Sequence, residues 1–101
     1  VVKTGLLSNA WSGARESLCA RINCDQLFQY SIFSCEVGLR KPDARIYEKM
    51  LSLMKVQAQE AIFVDDFLEN IEGANSVGIN GVHFKTTQQA IVDVMTLLEK
   101  K

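Results

Sequence analysis

Ala61-Ile62-Phe63-Val64-Asp65-Asp66-Phe67-Leu68-Glu69-Asn70 decides the fold of this 101-residue chain. An apolar run stops at two adjacent acidic residues, and a helix-like pattern follows. Side-by-side carboxylates repel one another and gain little from burial at a strand end. Such a pair is held there when something cationic stands opposite, most often a hard metal ion such as Mg²⁺. The stretch therefore predicts a strand over 61–64, a polar strand end, and a helix over 68–77 closed by Gly78 at its C-terminal cap.

Working outward, short apolar runs alternate with longer amphipathic ones. Residues 1–8 predict a strand ending in small polar residues, and 12–22 a helix with Ser12 as its cap. Residues 30–34 predict a short strand, and 35–41 an irregular polar segment. Pro42 and Asp43 then open a helix whose stripe carries Ile46, Met50 and Leu53, with Tyr47, Leu51 and Met54 beside it. Residues 81–84 predict a last strand. A last helix over 87–98 has Ile91, Val94, Met95 and Leu98 on its apolar stripe. Strands alternating with helices of this length predict parallel pairing through crossover helices, an α/β layered fold.

The chain is long enough for one small domain over residues 1–101, and its apolar content of 48% suffices for a single core. A net charge of −1 gives no electrostatic footprint for nucleic acid. The apolar runs are all shorter than a membrane span, and no signal-peptide pattern opens the chain. Cys19, Cys24 and Cys35 lack metal-binding spacing, so reduced thiols in a cytoplasmic protein are expected. The first residue is Val, inside a strand-like run, which suggests a piece of a longer protein.

In open parallel sheets the ligand site lies beyond the carboxyl ends of the strands. The polar residues there are Ser8-Asn9, Lys41 within Gly38-Leu39-Arg40-Lys41-Pro42-Asp43, and Asp65-Asp66. A hydroxyl, a lysine and a carboxylate pair suit a phosphoryl group and its metal. Each also has a plainer role: Asp66 as a helix cap, Ser8-Asn9 as a turn, and Lys41 as a solvated charge. Trp11 is expected to pack on the core rather than line a substrate entrance. His83 is expected to be structural and far from the other candidates, and Arg40 and Glu36 to lie on the surface.

Together the motifs resemble those of the haloacid dehalogenase-like (HAD) hydrolases. Leu6-Leu7-Ser8-Asn9 matches that family's second motif. Gly38-Leu39-Arg40-Lys41-Pro42-Asp43 matches the third, and Phe63-Val64-Asp65-Asp66-Phe67-Leu68-Glu69-Asn70 the acidic fourth. Glu72-Gly73-Ala74-Asn75-Ser76-Val77-Gly78-Ile79 is also typical. The wording is most similar to sugar-phosphate phosphatases and to the phosphatase domain of soluble epoxide hydrolases.

The resemblance implies a Rossmann-like three-layer sandwich and Mg²⁺-dependent hydrolysis of small phosphate esters through a phospho-aspartate. By motif, Ser8 would hydrogen-bond the phosphoryl group with Asn9 in support, and Lys41 would stabilise phosphate charge. Asp66 would be the direct Mg²⁺ ligand, with Asp65 close by or acting through water, and Asn70 would brace the site. The family's nucleophile lies in an Asp-x-Asp, and this sequence has none. The strand bearing that nucleophile, and the cap, are therefore expected to be missing. Their absence would leave two half-sheets separated by a gap on the order of 10 Å and a chain that is inactive alone.

Two further readings stay open, a catalytically inactive regulatory or interaction domain and a haloacid dehalogenase. The paired aspartates favour phosphate chemistry over dehalogenation. A phospho-receiver domain, which also groups acids, a hydroxyl and a lysine around Mg²⁺, places them in a different chain order.

Overall fold

The computed structural model describes residues 2–99, with the backbone alone at position 25. Val1, the first residue of the expected opening strand, lies outside the described residues. The elements follow one another as strand and helix. They are β1 (Gly5–Ser8), α1 (Ala14–Cys19), α2 (Cys24–Leu27), β2 (Tyr30–Phe33), α3 (Ser34–Val37) and α4 (Ala44–Met54). A 3₁₀ turn at Ala58–Glu60 leads to β3 (Ile62–Asp65), α5 (Leu68–Ser76), β4 (Asn80–His83) and α6 (Thr87–Glu99).

The strands form two separate parallel pairs, β1 with β2 and β3 with β4. This is the expected α/β layered fold, with its sheet in two halves. The register sets Ser8 beside Phe33 and Asp65 beside His83. Side chains hold the outer rims. Asn75 Oδ1 accepts from Gly81 N (2.9 Å), and Gln89 Nε2 donates to His83 O (3.0 Å). On the other half-sheet, Arg15 Nη2 donates to Ser31 O (3.4 Å).

Helix α4 joins the halves. Asp43 caps it, accepting from Arg45 N at 2.9 Å, and Pro42 precedes the cap across a cis bond. Ile46 and Tyr47 are buried, with Met50 nearly so, and they form one core with Ile32, Ala74 and Ile79. The Tyr47 ring meets Phe63 of β3 edge-on, 5.5 Å between centroids. At the other half-sheet, a Cβ on Gly5 of β1 would lie 2.7 Å from Met50 Cε. Helix α5 packs against α4, β3 and β4, and Gly78 follows it with φ +93°, the left-handed conformation expected of a glycine past a helix end.

Several local expectations fail for identifiable reasons. The helix expected from Ser12 starts at Ala14, because Gly13 turns the chain at φ 88°. It ends at Cys19, since Asn23 caps a second short helix by accepting from Gln26 N (3.2 Å). Cys19 and Cys24 are bonded to each other rather than reduced; their Cα atoms are 5.3 Å apart across the α1–α2 corner, within disulfide range. Cys35 is a free, exposed thiol. The polar segment after β2 contains a one-turn helix, α3.

On α4, Leu53 is exposed. On α6 the inward residues are Ala90, Val94 and Leu97, while Ile91, Met95 and Leu98 of the expected stripe are exposed. A two-stranded sheet is too narrow to cover more of that helix. No described helix is long and apolar enough to cross a membrane.

Candidate active site at the strand ends

The alternation of the ladders decides which groups meet between the half-sheets. Thr4 O accepts from Tyr30 N, so every second carbonyl of β1 points toward β2 and the intervening Leu7 O points the other way. On β3, Asp65 O accepts from Phe84 N, facing β4. The Lys41 ammonium lies between the two halves. It donates to Leu7 O at 2.9 Å and to Asp65 Oδ2 at 2.7 Å. It also stands 5.3 Å from the centre of the Phe63 ring.

Lys41 is aimed by its own peptide. Its N–H donates to Asn9 Oδ1 (2.8 Å), and Asn9 Nδ2 donates to its carbonyl oxygen (3.0 Å). The Asn9 amide thus grips a backbone from the end of β1 and fixes where the lysine stem begins. Ser8, on the preceding residue, is half-buried at the same strand end.

Asp65 is enclosed. Its Oδ1 accepts from Phe67 N (2.9 Å), and its Oδ2 accepts from Asn70 Nδ2 (3.3 Å) as well as from Lys41. Burial, the largest single influence, pushes the Asp65 carboxyl up. The hydrogen bonds from Lys41 and Phe67 N–H, with the lysine's charge, outweigh it and hold the group below its ordinary value. Asn70 is itself buried, and its carbonyl accepts from Tyr47 Oη at 2.7 Å. The Tyr47 phenol is pushed up to about 12, first by burial and then by the Asp65 charge.

Asp66 is exposed, one residue beyond the strand. It does not cap α5, whose N-cap position is held by Phe67 with no side-chain cap hydrogen bond. Its carbonyl oxygen lies 2.9 Å from His83 Nε2; a carbonyl only accepts, so that nitrogen carries the proton. His83 therefore stands beside the acidic pair, not far from it. Ser8, Asn9, Lys41, Asp65, Asp66 and Asn70 all gather around the ends of β1 and β3.

Three participants had no separate signal in the sequence: the Leu7 carbonyl, Tyr47 and His83. Tyr47 looked like a core residue because only its hydroxyl is polar. The placement of His83 follows from strand register, which a single strand pattern does not reveal.

Asp66 and Asp65 supply two neighbouring carboxylates. No group of three or more His, Cys, Asp or Glu side chains suited to a metal occurs among the described residues. That donor set fits Mg²⁺, which is commonly held by one or two carboxylates and completed by water and substrate phosphate.

A family model for haloacid dehalogenase-like hydrolases matches residues 1–78. The chain is 32% identical over 92 residues to bifunctional epoxide hydrolase 2 of Mus musculus, covering 87% of this chain and 17% of that protein. It is 38% identical over 72 residues to a sesquiterpene phosphatase of Aspergillus oryzae, covering 71% and 37% respectively. With glyceraldehyde 3-phosphate phosphatase of Pyrococcus abyssi it shares 41% over 66 residues, covering 64% and 28%. The chain thus spans well under half the length of these relatives.

An uncharacterised protein from Corynebacterium glutamicum superimposes with a TM-score of 0.87 at 23% identity, over 97% of this chain and 72% of that one. A HAD family enzyme from Bacteroides thetaiotaomicron, complexed with magnesium and inorganic phosphate, gives 0.75 at 22% identity, over 82% and 45%. These structural likenesses concern the fold.

Proposed function

Because the chain belongs to the haloacid dehalogenase-like hydrolase family, we propose that it carries the phosphate- and metal-binding half of a Mg²⁺-dependent phosphatase site for small phosphate monoesters. The observation that carries this reading is the enclosed Lys41–Asp65 pair standing beside the exposed carboxylate of Asp66. A lysine whose only task was to neutralise Asp65 would not need to stand at the strand ends beside a second carboxylate. The names of the phosphatase relatives support phosphate chemistry.

The roles follow from the donors. An ammonium has three N–H groups, and two are spent on Leu7 O and Asp65. The third serves a phosphoryl oxygen. The Ser8 hydroxyl donates to a second oxygen, and Asn9 acts through Lys41 as a positioning residue. Asp66, with Asp65 beside it, would hold Mg²⁺, which when bound draws charge from the phosphoryl oxygens. Asn70 keeps Asp65 oriented.

The attacking group in this proposal is an aspartate carboxylate that forms an O–P bond as the ester oxygen leaves. Water then cleaves the phospho-aspartate. The chain contains no Asp-x-Asp, so that carboxylate comes from outside these 101 residues, and the chain alone is inactive.

The test is release of inorganic phosphate from a panel of phosphate monoesters by the full-length protein, with Mg²⁺ and with a chelator. Turnover that needs Mg²⁺ supports the reading. Phosphate-ester binding without turnover under all conditions would point instead to an inactive binding domain.

A further inference from the structure

Two large aromatic side chains stand bare at the strand ends, Trp11 at 70% and Phe67 at 59% exposure. Trp11 does not pack on the core as its apolar bulk predicted. Neither residue sits on a loose loop. Ala10 N donates to Ser34 Oγ (2.8 Å), Ser34 Oγ donates back to Ala10 O (3.1 Å), and Trp11 O accepts from Ala14 N (3.0 Å). Phe67 N donates to Asp65 Oδ1 (2.9 Å), and its carbonyl accepts from Asn70 N and Ile71 N. A pinned backbone keeps each ring anchored at one place in the fold, and aromatic surface held there in water gains by being covered.

The two positions are tied to the site by chain distance and by Lys41. Trp11 follows Ser8 by three residues, and Phe67 directly follows Asp66. Leu7 O, next to Ser8, and Asp65 Oδ2, next to Asp66, are both within hydrogen-bond reach of the same Lys41 nitrogen. One ring-bearing position thus follows the end of each half-sheet, three residues past Ser8 and one past Asp66, the groups assigned to the phosphoryl moiety and its metal.

We propose that Trp11 and Phe67 form an apolar rim that receives the organic part of the phosphate ester, so that the preferred substrates are alkyl or aryl monophosphates rather than polyhydroxylated ones. The proposal rests on the phosphatase reading. A sugar would have to leave its hydroxyls against carbon here, where the only polar atom on either ring is the indole N–H. A hydrocarbon tail would gain by covering both rings while the phosphoryl group remains at Lys41.

The test is a series of n-alkyl phosphates, from methyl to decyl, with the full-length protein and Mg²⁺, reading kcat and KM separately. In the wild type, kcat/KM is expected to rise with each methylene that reaches the rim, by at most about fourfold per group, chiefly through KM. Trp11→Ser and Phe67→Ser, tested independently, flatten that rise, and Trp11→Phe restores most of it.

A wild type indifferent to tail length overturns the proposal. So does a uniform loss across the series in both serine variants, which would mark a structural role. No turnover of any member would bring down the phosphatase reading itself, and the rim with it.

Discussion

The Lys41 ammonium lies 2.7 Å from the Asp65 carboxylate, with only 9% and 7% of the two side chains exposed. The contact links the loop before α4 to the end of β3, and through Leu7 O it also touches β1. At this depth the pair matters more for what its loss would leave behind than for what it adds. Lys41→Met would strand a buried carboxylate and is expected to cost about 3–5 kcal/mol. Lys41→Met with Asp65→Asn should recover part of that loss. Urea unfolding of the single and double variants measures the coupling, and strictly additive losses would contradict the pairing.

Acid should find the same pair. The Asp65 carboxyl is held below its ordinary value in the folded chain, whereas the unfolded group titrates at about 3.9. The stabilisation is therefore complete above the unfolded value and is lost as pH falls through the lower folded value. Thermal melts from pH 6 downward should show a drop in midpoint in acid that Asp65→Asn reduces.

Tyr47 works at the opposite end of the scale. Its phenol is pushed from 10.0 to about 12, so the neutral form is favoured by folding. That contribution is intact below the unfolded value of 10.0 and fades as pH rises toward about 12. Tyr47→Phe should remove the alkaline loss while costing about 1–3 kcal/mol at neutral pH, because the buried Asn70 carbonyl loses its donor. Alkaline unfolding curves of the two proteins make the comparison.

Asp66 should behave differently from Asp65. It is exposed and lies beyond the strand, so Asp66→Asn is expected to shift stability by no more than about 0.5 kcal/mol. Loss of one ligand charge should nevertheless lower Mg²⁺-dependent turnover of the full-length protein by orders of magnitude. Unchanged turnover would remove Asp66 from the metal site.

Gly73 tests the seam between α4 and α5. Alanine normally stabilises a helix interior relative to glycine by about 1 kcal/mol. Here an added Cβ would lie 2.8 Å from Pro42 Cβ and 2.9 Å from Pro42 O. Gly73→Ala should therefore destabilise by about 1–3 kcal/mol, and because Pro42 adjoins Lys41, it should disturb the site as well. Denaturation midpoints decide the sign.

Much of this architecture could be read from sequence where local chemistry is unambiguous. The apolar run into Asp65-Asp66, the Pro42-Asp43 helix opening and Gly78 each fix a boundary by a mechanism confined to a few residues. The outward face of α6 could not be read that way. Ala90, Val94 and Leu97 repeat with nearly the same period as Ile91, Met95 and Leu98, and only the narrowness of the sheet selects between them. The Cys19–Cys24 bond depends on how α1 turns into α2, a tertiary fact.

The site divides in the same manner. Its residue types were visible as motifs, but their pairing was not. Asn9 serves the Lys41 peptide, and His83 reaches Asp66 only because β3 and β4 align in register.

The side chains on the outer rims carry a last implication. With Asn75 on Gly81, Gln89 on His83 and Arg15 on Ser31, the chain is poorly made for growing outward by adding strands at its flanks. A strand entering at the seam that Lys41 spans would instead have to match two ladders at once. A slip of one residue would turn its apolar side chains to the wrong layer. The seam would thus act as a gauge of register, passing a strand of the right phase and refusing one that is merely sticky.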